Sequence, residues 1–239
     1  MVDTPSYDPA DVSALFDRCA GNYRWWSAVS SFGFVNRWRK SAIAQIDATA
    51  PETVIDLMAG TGEIWPYVLA RFHQAEITAI DISHQMHLHA LEVLHKDRAS
   101  KITHLEADAL QSPLPDAMAD VVVSTFGLKT FNAEQHVILA KQVARLLKPG
   151  GAFSLIEASD PKGWVMRPFY RFYMDRMLPF VESIFLKGAE DFSMIGPYTK
   201  AFGDCSGFAD ALRAEGLDVE LRRHFFGCAT SVCGRKPVA

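Results

Sequence analysis

The sequence predicts an α/β fold built around a doubly wound, mostly parallel sheet. Short apolar segments alternate with helical segments along residues 54–157, and a glycine-rich turn follows the first of them. Strands that are separated by helices in this way are usually buried on both faces, as in parallel sheets. The 239 residues, of which 49% are hydrophobic, suffice for one large domain with a full core. We therefore expect a single domain over residues 1–239.

The central part of the chain supplies five strands and the helices between them. The apolar and β-branched runs predict strands at residues 54–57, 76–80, 102–106, 121–124 and 152–157. Helices are predicted at residues 63–72, 84–96 and 132–147. The last helix should end at Lys148-Pro149-Gly150-Gly151, because proline cannot continue a helix and glycine favours a turn.

Two helical segments and a hairpin flank this core. Residues 8–48 have a helical pattern with a turn near residues 30–33, and residues 160–187 form a helical insert rich in methionine and aromatic residues. A helix at 208–215 precedes a closing hairpin of residues 217–223 and 225–233. We expect an N-terminal helical lid (1–50), a ligand-binding core (51–158), a helical insert (159–203) and a C-terminal helix with the hairpin (204–239).

Composition excludes several classes of protein. The net charge of −4 and the mixed charges argue against a nucleic-acid-binding protein, which usually has a basic excess. Four scattered cysteines without a Cys-x-x-Cys pair indicate reduced thiols in a cytoplasmic protein. The acidic N-terminus lacks the apolar stretch of a signal peptide, and no segment has the ~20 apolar residues that span a bilayer.

The most informative segment is Val54-Ile55-Asp56-Leu57-Met58-Ala59-Gly60-Thr61-Gly62, a strand followed by a small-residue loop. Its glycines allow the backbone to approach a ligand, and the following helix offers free N–H groups. The phosphate-binding patterns Gly-x-x-x-x-Gly-Lys-Ser/Thr and Gly-x-Gly-x-x-Gly are absent. An acid directly before the loop favours a cationic ligand over a pyrophosphate.

Acidic residues also mark the ends of successive strands. Ligands of open α/β sheets bind beyond the carboxyl ends of the strands, where Asp56, Asp81 and Asp108 are expected to meet. Asp81 can bind two ribose hydroxyls side by side, and Asp108 can accept a hydrogen bond from an exocyclic amine. The alternative for Asp108 is a simple helix cap.

With these motifs in place, the chain resembles class I S-adenosylmethionine-dependent methyltransferases, and more narrowly the ubiquinone/menaquinone C-methyltransferase (UbiE-type) family. This resemblance implies a Rossmann-like methyltransferase fold with seven strands and S-adenosyl-L-methionine as cofactor. It rests on residues 16–23 (FDRCAGNY), 31–33 (SFG), 56–62 (DLMAGTG), 81–83 (DIS) with Met86, 107–109 (ADA), 113–116 (PLPD), 126–128 (FGL), 147–151 (LKPGG), 169–173 (FYRFY) and 178–179 (LP).

The resemblance also implies roles for individual residues. By this resemblance Asp81 takes the ribose hydroxyls, and the charge of Asp56 agrees with it on physical grounds, because a sulfonium cation is favoured near a carboxylate. Ile82 and Met86 pack on the adenine, and Asp108 with Ala109 reads its edge. The remaining expected cofactor contacts are the loop residues Ala59, Gly60, Thr61 and Gly62, and Thr125 near the sulfonium end.

One motif departs from the family pattern. Where the family has Phe-Gly-Leu-Arg-Asn, with the Arg-Asn pair implicated in removing the ring proton, this chain has Phe126-Gly127-Leu128-Lys129-Thr130. Lysine does not replace arginine neutrally, because its charge is compact and its pKa shifts readily on burial. Lys129 is thus a candidate general base or oxyanion holder, the alternative being a solvated lysine.

Two other side chains are candidate acid–base residues. Tyr23 matches a family tyrosine that could polarise a phenol, although packing in the lid is the alternative. His224 is the other candidate, and a plain position on the strand surface is its alternative. The histidines at 84, 87, 89 and 95 lack the spacing of a metal motif, so no metal is expected.

The leading hypothesis is methyl transfer to a carbon or oxygen of a small apolar, aromatic or quinone-like acceptor, in quinone or secondary-metabolite biosynthesis. Met166, Phe169, Tyr170, Tyr173 and Met177 form one apolar helical face. That face could line the acceptor pocket or make a peripheral contact with a membrane. Two alternatives stay open: another modification of the quinone, such as amino transfer giving rhodoquinone, and a non-catalytic binding role.

Overall fold

A seven-stranded sheet of order β3-β2-β1-β4-β5-β7-β6 forms the centre of the molecule. The structure, a computed structural model, describes residues 5–185 and 194–238. Strands β1 to β5 are parallel, and β7 runs antiparallel between β5 and β6. The predicted fold class is thereby confirmed. The strands are β1 Thr53–Leu57, β2 Glu76–Asp81, β3 Ile102–Glu106, β4 Ala119–Thr125, β5 Leu147–Ala158, β6 Asp218–His224 and β7 Ala229–Arg235.

Helices cover both faces of this sheet. Successive side chains of a strand point to opposite faces, so Ile55 of β1 enters the core on one face and Val54 the core on the other. The helices are α1 Pro9–Ser30, α2 Phe34–Ala44, α3 Trp65–Arg71, α4 His84–Leu88, α5 Ala133–Leu146, α6 Arg167–Phe172, α7 Leu178–Phe185, α8 Ile195–Phe202 and α9 Ser206–Ala214. Helices α5 and α9 contribute to the first core, and α2 and α3 to the second.

The turn expected at residues 148–151 is part of strand β5. Helix α5 ends at Leu146, and Leu147 pairs with Ala119 before a bulge shifts the register. Backbone hydrogen bonds join Gly150 N to Lys236 O and Lys236 N to Gly151 O, at 2.8 Å each. The proline and glycine signals therefore mark a strand bulge, because the segment finds backbone partners in the C-terminal strand.

Other boundaries also differ from the sequence prediction. The helix predicted at 84–96 is α4 followed by a π-helical turn, His89–Leu94. The second hairpin strand begins at Ala229, because Phe225–Gly227 form a tight turn in which Phe225 and Phe226 have left-handed backbone angles, φ 43° and 57°. Residues 186–193 of the insert predicted over 159–203 lie outside the described residues.

Helix α1 and the segment before it lie against the carboxyl ends of the strands. Asp8 caps the helix by accepting from Ala10 N at 2.8 Å, and Pro9 occupies the first helical position. Gly33, with φ 77°, makes the sharp turn into α2. Among the helices of the described residues, none is long and apolar enough to cross a membrane.

Candidate active site

A pocket of about 740 Å³, counting the part open to solvent, lies at the carboxyl ends of β1, β2 and β4. Its floor is the glycine loop, in which Met58, Gly60 and Gly62 have φ of 52°, 57° and 74°. A Cβ on Gly60 would meet nothing within 4 Å, so the loop leaves open space above this residue. We call this the donor pocket. Eight predicted cofactor residues line it: Ala59, Gly60, Asp81, Ile82, Met86, Asp108, Ala109 and Thr125.

Asp81 is fixed by two backbone N–H groups. Its Oδ2 accepts from Gly60 N at 2.7 Å and its Oδ1 from Ser83 N at 2.9 Å. Each carboxylate oxygen can accept a further hydrogen bond, so lone pairs remain for a ligand diol. Burial raises the pKa of Asp81 to about 6, against the opposing effect of these hydrogen bonds.

The charges around the donor pocket suit a cation. Its acidic lining residues are Glu63, Asp81 and Asp108, and none of its described lining residues is Lys, Arg or His. Asp108 also caps the turn that follows β3, because its Oδ1 accepts from Leu110 N at 2.8 Å. The helix-cap interpretation and the pocket position are therefore compatible for this residue.

Three predicted cofactor residues do not line the pocket: Asp56 of β1, and Thr61 and Gly62 at the far end of the glycine loop. Asp56 Oδ2 accepts from the indole N–H of Trp65 at 2.8 Å, whereas its Oδ1 has no hydrogen-bond partner in the described structure. A Cβ on Gly62 would collide with the ring of Trp65. Burial raises the pKa of Asp56 to about 8. These residues shape the loop, because Asp56 anchors the tryptophan on which the loop rests.

A second cavity of about 770 Å³, the inner pocket, adjoins the donor pocket. Phe16, Tyr23, Phe126 and Thr130 line both cavities, so the two are neighbours across these side chains. The rest of its wall is mainly apolar and includes Trp26, Val35, Trp38 and Ile195. An apolar ring bound here would lie next to Thr125 and Phe126 at the end of β4.

Lys129 lies in the wall of the inner pocket and forms a buried ion pair. Its ammonium donates to Glu157 Oε1 at 3.0 Å and to Phe126 O at 2.6 Å. Glu157 is fully buried, and its Oε2 also accepts from Lys129 N at 3.0 Å. A lysine bonded in this way is a hydrogen-bond donor with a fixed position. The alternative expected from the sequence, a solvated lysine, does not agree with the burial of the Lys129 side chain.

Tyr23 stands between the two pockets. Removal from water, and then the nearby charge of Glu63, raises the pKa of its phenol far above the usual value, and Arg39 opposes this shift. Arg39 is buried, 2% exposed, and its Nη2 lies 3.5 Å from Glu63 Oε2. The phenol therefore keeps its proton at neutral pH and can donate a hydrogen bond, whereas it is a poor base.

The third candidate acid–base residue lies elsewhere. His224 Nε2 lies 2.9 Å from Ser231 Oγ and 3.3 Å from the Gln45 amide nitrogen, and His224 lines neither the donor pocket nor the inner pocket. In the described residues, no group of three or more His, Cys, Asp or Glu side chains is placed to hold a metal ion.

Sequence reasoning missed Glu157, Glu63 and Arg39. Glu157 lies near the carboxyl end of β5, so the rule applied to the acids of the first three strands could have identified it. Glu63 directly follows the glycine loop, so a search for acids near the strand ends could also have identified it. Arg39 gave no local signal, because its burial depends on how α2 packs on the sheet.

The sheet order, the glycine loop and the acid Asp81 at the end of β2 are together typical of a class I S-adenosylmethionine-dependent methyltransferase. The residues present fit this cofactor, since Asp81 has free lone pairs and Gly60 leaves open space. The sequence matches the ubiE/COQ5 methyltransferase family over residues 5–236. The chain belongs to this family, and the enzyme class and cofactor predicted from the sequence are confirmed.

Individual relatives agree with this assignment. The chain is 28% identical to the demethylmenaquinone methyltransferase of Lactiplantibacillus plantarum, over 95% of this chain and 96% of the relative. It is 30% identical to the demethylmenaquinone methyltransferase of Deinococcus radiodurans, over 94% and 92%. Among solved structures, human N-acetylserotonin methyltransferase in complex with S-adenosylmethionine superposes with a TM-score of 0.60 at 18% identity. That match covers 90% of this chain and 58% of the human chain, and it shows the fold alone.

Proposed function

We propose that the protein methylates a ring carbon or oxygen of a quinol-like acceptor that carries an apolar tail. The observation that supports this most is the continuity of the cavities. The donor and inner pockets share Phe16, Tyr23, Phe126 and Thr130, so a ring in the inner pocket adjoins the donor site. The two relatives above are named demethylmenaquinone methyltransferases, which favours this acceptor class over amino transfer or a non-catalytic role.

An outer groove continues the path to the surface. It encloses about 1180 Å³ including open solvent, and it shares Ser30, Ser31, Trp38, Ala158 and Ile195 with the inner pocket. Its remaining walls are largely aromatic and include Trp164, Phe169 and Tyr173. A ring held in the inner pocket could therefore extend a long apolar substituent along this groove.

The proposed chemistry needs alignment and charge more than acid–base groups. The bound cofactor would supply a methyl group whose bond to sulfur breaks as the acceptor carbon or oxygen attacks in line, with S-adenosylhomocysteine as the leaving group and the proton of the acceptor passing to water. Asp81 and the Gly60 loop would orient the adenosyl end. Lys129 has three N–H donors, of which two bind Glu157 and Phe126 O, so the third can hold the negatively charged oxygen of an ionised acceptor. Tyr23 would donate to the same oxygen or its neighbour.

A labelling experiment tests the proposed reaction. We expect the purified protein, given methyl-deuterated S-adenosylmethionine and a reduced demethylmenaquinone, to form a product heavier by one labelled methyl group. Acceptors with an isoprenoid tail should have a higher kcat/KM than the same ring without the tail, because the groove buries apolar surface. An unlabelled product would contradict methyl transfer, and equal kcat/KM values would contradict the tail-binding groove.

A peripheral contact with an anionic membrane completes the proposal. Four exposed phenylalanines, the aromatic rim, lie in or beside the mouth of the outer groove: Phe32, Phe169, Phe225 and Phe226, exposed by 76%, 68%, 47% and 68%. Phe32, Phe225 and Phe226 also have left-handed backbone angles, which bulky residues rarely adopt. Strained and exposed aromatic tips of this kind point to a functional surface.

The chain segment that contains Phe32 is basic, which favours anionic lipid. Residues 18–46 contain five Arg and Lys residues and no Asp or Glu, in a chain whose net charge is −4. Arg24 and Arg37 of this segment are exposed. Aromatic residues beside cations are the usual composition of a surface that binds the interface of an anionic bilayer. An apolar acceptor could then enter the groove directly from the lipid.

Vesicle binding tests this contact. The protein should sediment with vesicles containing phosphatidylglycerol and less with pure phosphatidylcholine. The double variant F32N/F226N should bind at least tenfold more weakly, because it loses two aromatic anchors while asparagine tolerates the left-handed backbone. The control V137S/I138S removes two exposed apolar side chains from α5, 45% and 43% exposed, and should bind like the wild type. Equal loss in both variants, or self-association of the wild type without vesicle binding, would contradict the proposal.

A further inference from the structure

Helix α1 is bonded directly to the turn that follows β2. Asp17 Oδ1 accepts from Ser83 Oγ at 2.6 Å and from Gln85 N at 3.0 Å. One helical turn earlier, Ser13 Oγ donates to Ile82 O at 3.1 Å. Asp17 thus helps to cap the N-terminus of α4 from a different helix, where a negative charge is favourable.

These bonds continue into the donor pocket. Ser83, which binds Asp17 through its hydroxyl, donates its backbone N–H to Asp81 Oδ1 at 2.9 Å. The other oxygen of Asp81 accepts from Gly60 N at 2.7 Å. A continuous chain of hydrogen bonds therefore runs from α1 through Ser83 and Asp81 to the glycine loop.

The same helix covers the donor pocket. The pocket is lined on this side by Tyr7, which precedes α1, and by Pro9, Val12 and Phe16 of α1 itself. The start of this segment is held by Gln135 Nε2, which donates to Tyr7 O at 2.9 Å. A cofactor in the donor pocket would lie against these residues, so the position of α1 and of the segment before it should affect the rate at which the cofactor leaves.

We propose that Asp17 is a positioning residue that fastens α1 to the Asp81 turn, so that closure of the lid and orientation of Asp81 occur together. The inference rests on the proposed role of Asp81 in binding the ribose, and it is independent of the acceptor. Asp17 does not line the donor pocket, so its effect passes through Ser83 and the position of α1.

The carboxylates of Asp17 and Asp81 interact, and this interaction can be measured through the pKa of Asp81. The charge of Asp17 contributes to the raised pKa of Asp81, after burial as the main cause. Other titratable side chains near Asp81 are Asp56 of β1 and, on β3, Glu106, whose Oε2 lies 2.7 Å from His84 Nδ1. Because a protonated Asp81 accepts fewer hydrogen bonds, cofactor affinity should fall as the pH decreases through about 6.

The test compares release of S-adenosylmethionine from the wild type, Asp17→Ala, Asp17→Asn and Ser13→Ala. Stopped-flow competition should show release about tenfold faster for Asp17→Ala, the ratio that corresponds to about 1.4 kcal/mol. Asp17→Asn should release more slowly than Asp17→Ala, because its amide oxygen still accepts, and Ser13→Ala should also release faster than wild type. Asp210→Asn is the control, since Asp210 is an exposed acid of α9 that pairs with Arg213 at 2.8 Å and does not line the donor pocket.

The pH dependence separates positioning from mere support of the fold. In Asp17→Asn the inflection of S-adenosylmethionine affinity should move to lower pH, because a negative charge beside Asp81 is gone. Unchanged release rates, or a lower melting temperature with the inflection unmoved, would overturn the inference. Normal cofactor release and pH profiles in a protein that methylates no quinol would refute the proposed acceptor and leave this inference standing.

Discussion

Replacing Asp81 with alanine is expected to weaken S-adenosylmethionine binding by about two to four orders of magnitude. A hydrogen bond to a charged group contributes about 1.5–3 kcal/mol, and the carboxylate is placed to accept two from a ribose diol. The substitution also removes the acceptor for Gly60 N, so the glycine loop loses one of its fixed points. Isothermal titration calorimetry with S-adenosylmethionine and with S-adenosylhomocysteine measures the effect.

The opposite end of the same strand provides the control. Glu76 begins β2, is exposed, and lies outside the donor pocket, so Glu76→Ala should leave the Kd within about twofold. Asp81→Asn should fall between wild type and Asp81→Ala, because one oxygen acceptor remains. A Kd for Asp81→Ala close to that of the wild type would contradict the assignment of this carboxylate to the ribose.

Replacing Lys129 with methionine is expected to impair both stability and activity. Loss of the ammonium leaves the fully buried Glu157 without its partner, which typically costs about 3–5 kcal/mol. The same change removes the donor proposed to hold the acceptor oxygen, for which a loss of about 10²-fold in kcat is typical. Thermal unfolding and steady-state methylation under identical conditions measure the two effects.

A second substitution separates the effect on stability from the effect on activity. The double variant K129M/E157Q no longer contains a buried unpaired carboxylate, so we expect it to regain much of the lost stability while its kcat stays low. Lys148→Met is the matched control, because Lys148 pairs with Asp120 at a partly exposed site, where a pair contributes about 1 kcal/mol or less. If the double variant regained activity together with stability, Lys129 would be a purely structural residue.

The fold was predictable because its signals are local. Apolar runs, the glycine loop and the helix between each pair of strands are readable from neighbouring residues, and the rule for parallel sheets then places the strand ends together. Boundaries were less predictable where a tertiary contact overrode a local signal. Residues 148–151 resemble a turn, yet they continue β5 because Lys236 supplies backbone partners.

The sequence by itself determined the class of fold, the family and the cofactor, since these depend on motifs a few residues long. Only the tertiary structure decided which acids face the pocket. Asp81 lines it, whereas Asp56 does not line it and holds Trp65. Only the structure paired Lys129 with Glu157, 28 residues away, and Asp17 with Ser83, 66 residues away. The physical reason is that charge, exposure and hydrogen bonding depend on neighbours in space, which the packing of α1, β4 and β5 brings together.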